Sequence, residues 1–200
     1  MRAVIVAAGF GTRMLPVTKV IPKELIPVGD RPVLHRIVQD LATAGVGDVT
    51  MIIAPGKKAV LDYFSKNEVL EEFLQKKGKS EKLELVRESE NLVEMSYVIQ
   101  DEQRGTAHAV AQAEHEISED FFLVIFGDAV YPPEMFGQIL ADFAEHGAPI
   151  IVTHEVPWEE VSRYGVVAHE DGILKKLVEK PAREDAPSNL VSNGVYLCRG

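Results

Sequence analysis

Four residues near the start of the chain, Gly9, Gly11, Arg13 and Lys23, have the types and spacing to hold a run of phosphates. A glycine has no Cβ, so backbone N–H groups at Gly9 and Gly11 can approach an anion closely. Arg13 and Lys23 add fixed positive charge. That combination suits a nucleoside triphosphate. Spacing sets two other phosphate loops aside. A P-loop needs glycine, four residues, then Gly-Lys-Ser/Thr, and no such run occurs. A dinucleotide fingerprint needs a third glycine and an immediate helix, which Pro16, Pro22 and Pro27 prevent after Gly11. Two glycines after a strand are by themselves only a tight turn; Arg13 and Pro22-Lys23-Glu24 give this one its chemistry.

Further along, Asp128 follows the apolar run Phe121–Phe126 and Gly127, which projects its carboxylate from a strand end. Mg²⁺ takes one or two protein carboxylates and completes its octahedron with phosphate oxygens and water. A single strand-end aspartate therefore suits a triphosphate-bound Mg²⁺, although the same residue also serves as a turn or capping residue. Glu179-Lys180-Pro181 ends another strand-like run and, taken alone, is an ordinary solvated strand end.

These residues need a scaffold that brings distant segments together. Strand-like runs occur at 3–8, 49–54, 96–100, 121–126 and 149–156, with helical segments between them. The spacing predicts a first helix capped by Asp30, with Pro32 in its first turn and Leu34, Ile37, Val38 and Leu41 as its buried stripe, stopped by Gly45. Further helices are expected at 57–64, around 69–74 with a stop at Gly78, from Ser80, and at 105–113 and 133–146. Such alternation implies an α/β, Rossmann-like three-layer sandwich with a mixed, mostly parallel sheet. Ligands in these sheets sit at the carboxyl ends of the strands, where Gly9–Arg13 and Gly127-Asp128 both fall. After residue 156, runs at 165–169 and 173–179 flank a hairpin signal, Glu170-Asp171-Gly172, and a third run follows at 190–197. This is an antiparallel or mixed extension suited to a second substrate.

The chain has 200 residues, 46% hydrophobic, which describes one globular domain over 1–200. No apolar run approaches the roughly 20 residues that span a bilayer, so a membrane partner is not expected. A single cysteine, Cys198, excludes an internal disulfide and fits a cytoplasmic location. The net charge of −10 argues against a nucleic-acid partner and against long-range steering of anions. A phosphate site must rest on local cations: Arg13, Lys23 and Lys180, with Lys19 expected to be a solvated surface residue. Self-association is left open.

The stretch AAGFGTRMLPVTKVIPKELIP resembles the signature of the sugar-phosphate nucleotidyltransferases, and most closely that of the bacterial UTP–glucose-1-phosphate uridylyltransferases. Residues 74–87 (LQKKGKSEKLELVR), 97–110 (YVIQDEQRGTAHAV), 126–128 (FGD), 156–167 (VPWEEVSRYGVV) and 178–189 (VEKPAREDAPSN) match the same pattern in order. The resemblance covers essentially the whole chain, and implies the nucleotidyltransferase fold in a form short at its C-terminus. It implies transfer of a uridylyl group from UTP to glucose 1-phosphate, with Mg²⁺ as cofactor held by Asp128. It also implies a nucleotide-binding part at 1–130 and a sugar-phosphate-binding part at 131–200.

By the same resemblance, Ala8, Gly9, Gly11 and Thr12 meet the nucleotide, Arg13 holds the leaving pyrophosphate and Lys23 the α-phosphate. Glu24 faces the nucleoside. Gln100, with both a donor and an acceptor, reads uracil, and Gly105 and Thr106 lie beside the base. Glu179, Lys180, Gly165 and Asn193 take the sugar phosphate, with Trp158 and Tyr164 as flanking or packing residues. Two departures stand out. Ala129 occupies a position where the family often has a second acid, and a further carboxylate used by related enzymes comes from beyond residue 200. Gly105-Thr106-Ala107-His108 replaces the usual Gly-Leu-Gly-His and resembles the N-acetylglucosamine-1-phosphate enzymes. His108 is expected to pack near the site. Alternatives are another sugar 1-phosphate or dTTP as substrate, or a nucleotide-sugar-binding protein with weak catalysis.

Overall fold

In the computed structural model, which describes residues 1–200, the alternation of the first strand sets the layers. Strand β1 (Arg2–Ala7) is rich in β-branched residues and sits at the middle of a sheet. Ala3, Ile5 and Ala7 face one side and pack with Leu34, Ile37, Leu41 and Phe136. Val4 and Ala8 face the other side and pack with Ala109 and Ala113. Helices thus cover both faces, giving the expected three layers.

After β1 the chain makes three single 3₁₀ turns, Thr12–Met14, Val17–Lys19 and Lys23–Leu25, because the prolines interrupt any longer helix. A short hairpin, β2 (Pro27–Val28) and β3 (Arg31–Pro32), leads into α1 (Val33–Thr43). Then come β4 (Asp48–Ile53), α2 (Lys58–Phe64), α3 (Glu68–Lys76), α4 (Ser80–Glu90), β5 (Glu94–Ile99) and α5 (Thr106–Gln112). The remainder is β6 (Phe121–Phe126), α6 (Met135–His146), β7 (Ile150–Glu155), β8 (Gly165–Glu170), β9 (Ile173–Glu179) and β10 (Leu190–Arg199). The predicted stripe of α1 is buried as expected: Leu34, Ile37, Val38 and Leu41 are at most 2% exposed. Asp30 does not cap α1. The β2–β3 hairpin holds it one turn away, with its carboxylate 2.9 Å from Arg36, and Pro32 takes the capping position without a side-chain bond.

The sheet runs β5-β4-β1-β6-β10-β8-β9, with β7 also paired to β10. Strands β5, β4, β1 and β6 are mutually parallel. Strand β10 is antiparallel to β6, β7 and β8, and β9 is antiparallel to β8. Six strands therefore point one way and two, β9 and β10, the other, a mixed and mostly parallel sheet. The 149–156 run joins it only through the antiparallel β10.

One register places the second half of the site. Val195–Arg199 of β10 pairs with β6, so residues 190–194 run past its carboxyl end. There Val191 pairs with Val166 of β8, so the β8–β9 hairpin extends beyond the parallel strands. A separate small core of Val156, Val161, Val166 and Val191 supports it.

Candidate active site

Strands β1, β4, β5 and β6 end at one edge, and three contacts stitch the residues just beyond. Gln100 N–H donates to Ile53 O at 2.8 Å, Gly127 N–H to Val6 O at 3.0 Å, and Lys57 Nζ to Ala7 O at 2.6 Å. Parallel strands lack tight hairpins, so each must return through a helix, and this edge collects the loops.

Lys23 crosses that edge. Its ammonium forms an ion pair with Asp128, 105 positions away in sequence. The glycines leave room for its stem: a Cβ at Gly9 would stand 3.4 Å from Lys23 Nζ, and one at Gly11 3.4 Å from Lys23 Cδ. Gly11 also adopts a left-handed φ of 66°, which favours glycine. Arg13 follows on the Thr12–Met14 turn, exposed and without an ionic partner. Lys19 is exposed, as expected. No group of three or more His, Cys, Asp or Glu side chains is gathered to hold a metal. Asp128 stands as a single, partly exposed carboxylate.

Glu24 is placed differently from the expectation. Its side chain is fully buried, and both oxygens lie 2.8 Å from Lys57 Nζ. The carboxylate expected to face the nucleoside is closed off from solvent and committed to Lys57. Burial pushes the Glu24 carboxyl up and the Lys57 ammonium down, while their mutual attraction opposes both shifts. With Ala7 O as a third acceptor, all three Lys57 protons are placed. Lys57 is absent from the sequence reading because a lysine beside Gly56 and Lys58 has the signature of a solvated turn; only pairing of β4 beside β1 reveals it.

Gln100 is 2% exposed, and its amide nitrogen faces Gly105 O at 3.3 Å and His108 Nδ1 at 3.0 Å. A carbonyl can only accept, so the group facing Gly105 O is the –NH₂. Its two protons are thus taken, and of the donor and acceptor expected, only the carbonyl oxygen remains free. Thr106 opens α5 directly after Gly105, whose φ is 97°.

In the extension, Gly165 lies opposite Glu179, and a Cβ there would stand 3.2 Å from Glu179 Oε2. Lys180 has a φ of 43°, its N–H donates to Tyr164 O at 2.9 Å, and its ammonium lies 3.1 Å from Glu179 Oε1. A left-handed non-glycine residue costs about 1–3 kcal/mol and persists where its surroundings impose it, often at functional sites. Asn193 is occupied within its own strand, where Oδ1 accepts from Val195 N–H at 3.1 Å and Nδ2 faces Met135 sulfur at 3.5 Å. Tyr164 packs against the small core and edge-on to His154, and Trp158 is 43% exposed. Two cavities, of about 480 Å³ near Gly47 and Glu94 and about 360 Å³ between α1 and Ala129–Tyr131, contain none of these residues.

Residues 2–199 match the model of the nucleotidyl transferase family. The chain belongs to that family. Among nucleotidyl transferases, it is 37% identical over 203 residues to the UTP–glucose-1-phosphate uridylyltransferase of Bacillus subtilis, covering 98% of this chain and 70% of that one. A crystal structure of a UDP-glucose pyrophosphorylase complexed with UDP-glucose superposes with a TM-score of 0.84 at 33% identity, over 99% of this chain and 75% of the other. A UTP-bound UGPase from Acinetobacter baumannii gives 0.84 at 31% identity, over 99% and 74%. This member of the family thus shares its fold with proteins crystallised with UDP-glucose or UTP.

Proposed function

We propose that this nucleotidyl transferase moves a uridylyl group from UTP to glucose 1-phosphate, giving UDP-glucose and pyrophosphate. The observation that carries the reading is Lys23 lying across Gly9 and Gly11 and ending on Asp128. The 37% identity to the Bacillus subtilis enzyme supports the choice of substrates.

An oxygen of the sugar phosphate attacks the α-phosphorus of UTP in line, a new P–O bond forms, and the bond to the β-phosphate oxygen breaks as pyrophosphate leaves. The attacking phosphate is already ionised at neutral pH, so the reaction needs no general base. The barrier is electrostatic, because two anions must meet, and it falls through positioning and charge neutralisation. In this reading the Ala8–Thr12 backbone approaches the phosphates. Lys23 exchanges the Asp128 carboxylate for an α-phosphate oxygen, and Arg13, unpaired in the protein, takes the leaving pyrophosphate. Gly105 and Thr106 border the base. Lys180 neutralises the sugar phosphate, Glu179 accepts from hexose hydroxyls, and Gly165 leaves them space. Residues 1–130 thus serve the nucleotide and 131–200 the sugar phosphate, with Asn193 shaping the strand bend behind it.

A divalent ion fits this site in one way. Asp128 offers one partly exposed carboxylate beside the glycine turn, which suits Mg²⁺ with its other positions filled by phosphate oxygens and water. Bound there, Mg²⁺ would neutralise triphosphate charge. Thr106-Ala107 in place of Leu-Gly makes N-acetylglucosamine 1-phosphate the first alternative acceptor to assay.

Pyrophosphate release measured with UTP, dTTP, CTP and GTP against several sugar 1-phosphates tests the reading. Turnover highest with UTP and glucose 1-phosphate supports it. Stabilisation by UDP-glucose without Mg²⁺-dependent turnover would replace it with a nucleotide-sugar-binding role.

A further inference from the structure

The geometry points to His108 as a positioning residue that sets which nucleobase edge the site accepts. The inference rests on the uridylyl-transfer reading and deepens it.

Gln100 can read a base in two opposite ways. Presenting its –NH₂, it pairs with an acceptor; presenting its carbonyl oxygen, it pairs with a donor. The two orientations differ only by a half-turn about the terminal torsion, so something outside Gln100 must choose between them. Two acceptors make the choice. Gly105 O lies 3.3 Å from the amide nitrogen and has no proton to give, and His108 Nδ1 lies 3.0 Å away. Because Gly105 O fixes the –NH₂ toward it, Nδ1 accepts and the ring's proton sits on Nε2; the Gln112 amide, 3.4 Å from Nε2, receives that proton by turning its oxygen to the ring. The 3.3 Å contact to Gly105 is the longer of the two, which leaves His108 as the stronger restraint. His108 sits on α5 behind this contact and is partly buried.

The outcome is an acceptor-only Gln100. Its free carbonyl oxygen matches the N3–H of uracil, and equally that of thymine. It opposes cytosine, whose N3 carries a lone pair and no proton. Sites that hold a buried polar group for one hydrogen bond discriminate strongly against a ligand that cannot make it. His108 therefore separates uridine from cytidine nucleotides without touching either, while leaving UTP and dTTP undistinguished at this contact.

The experiment measures the dissociation constants of UTP and CTP by calorimetry for the intact chain and for His108→Ala, His108→Phe and His108→Asn, with unfolding midpoints as the check on folding. Both acceptor-free variants, Ala and Phe, are expected to narrow the UTP/CTP ratio by about tenfold or more, the scale of one lost orienting hydrogen bond. His108→Asn, whose Oδ1 can accept, is expected to recover part of the preference. A merely structural histidine would weaken both nucleotides alike, so an unchanged ratio in whichever of His108→Ala and His108→Phe folds overturns the inference. An unsubstituted chain that binds neither nucleotide overturns the uridylyl-transfer reading, and this inference with it.

Discussion

Glu24 and Lys57 form a buried ion pair, both carboxylate oxygens lying 2.8 Å from the Lys57 ammonium, while the adjacent Lys23 points the other way to Asp128. One 3₁₀ turn thus anchors itself inward and presents a cation outward. Lys57 also holds Ala7 O at 2.6 Å, so the same ammonium fixes the end of β1 from which the glycine turn departs.

Lys57→Met is expected to destabilise the fold by about 3–5 kcal/mol, because it leaves a buried carboxylate with no counter-charge. Glu24→Gln combined with Lys57→Met removes both charges and is expected to recover much of that loss. Denaturant unfolding of the two variants checks this; equal losses would show that the charge pair is not what anchors the turn.

Arg13→Ala is expected to behave in the opposite way. Arg13 is exposed and makes no ion pair, so stability should change by no more than about 0.5 kcal/mol. Turnover should fall roughly 10²-fold, the scale for removing one charge-stabilising group. Unchanged kcat would remove Arg13 from the leaving-group role.

Gly11→Ala places a methyl group 3.0 Å from Thr18 Cγ2 on a backbone with φ at 66°. The left-handed strain alone costs about 1–2 kcal/mol. The expected result is a lower unfolding midpoint and a raised KM for UTP, measured side by side. A variant with unchanged KM would show that the turn does not approach the phosphates.

Alkaline stability should depend on Tyr97. Burial pushes its phenol from 10.0 up to about 12. A group whose folded pKa is raised contributes stability that is complete below its unfolded value and is lost as pH rises through the folded one. The window is therefore pH 10 to about 12. Tyr97→Phe is expected to flatten the stability loss in that window, followed by unfolding at stepped pH.

The sequence made some of this site legible and hid the rest for physical reasons. Local signals carried the strand ends: β-branched runs stop at glycines, so Gly9, Gly11 and Gly127-Asp128 stood at predictable edges. The α1 stripe was equally plain, since Leu34, Ile37, Val38 and Leu41 follow helical spacing. Direction was not legible. Lys23 and Glu24 are neighbours with opposite destinations, decided by Lys57 arriving from the loop after β4. Gln100 shows a donor and an acceptor on paper, but Gly105 and His108 consume the donor. Asp30 has the chemistry of a cap, yet the β2–β3 hairpin commits it to Arg36.

The most direct test compares pyrophosphate release from UTP and glucose 1-phosphate, with Mg²⁺ present, by the intact chain and by Lys23→Ala. UDP-glucose formation by the intact chain and a loss of at least about 10²-fold on substitution are expected, because Lys23 is the cation that spans the glycine turn and Asp128. An unsubstituted chain inactive with every nucleotide and sugar phosphate, or a Lys23→Ala chain as active as its parent, would contradict the account.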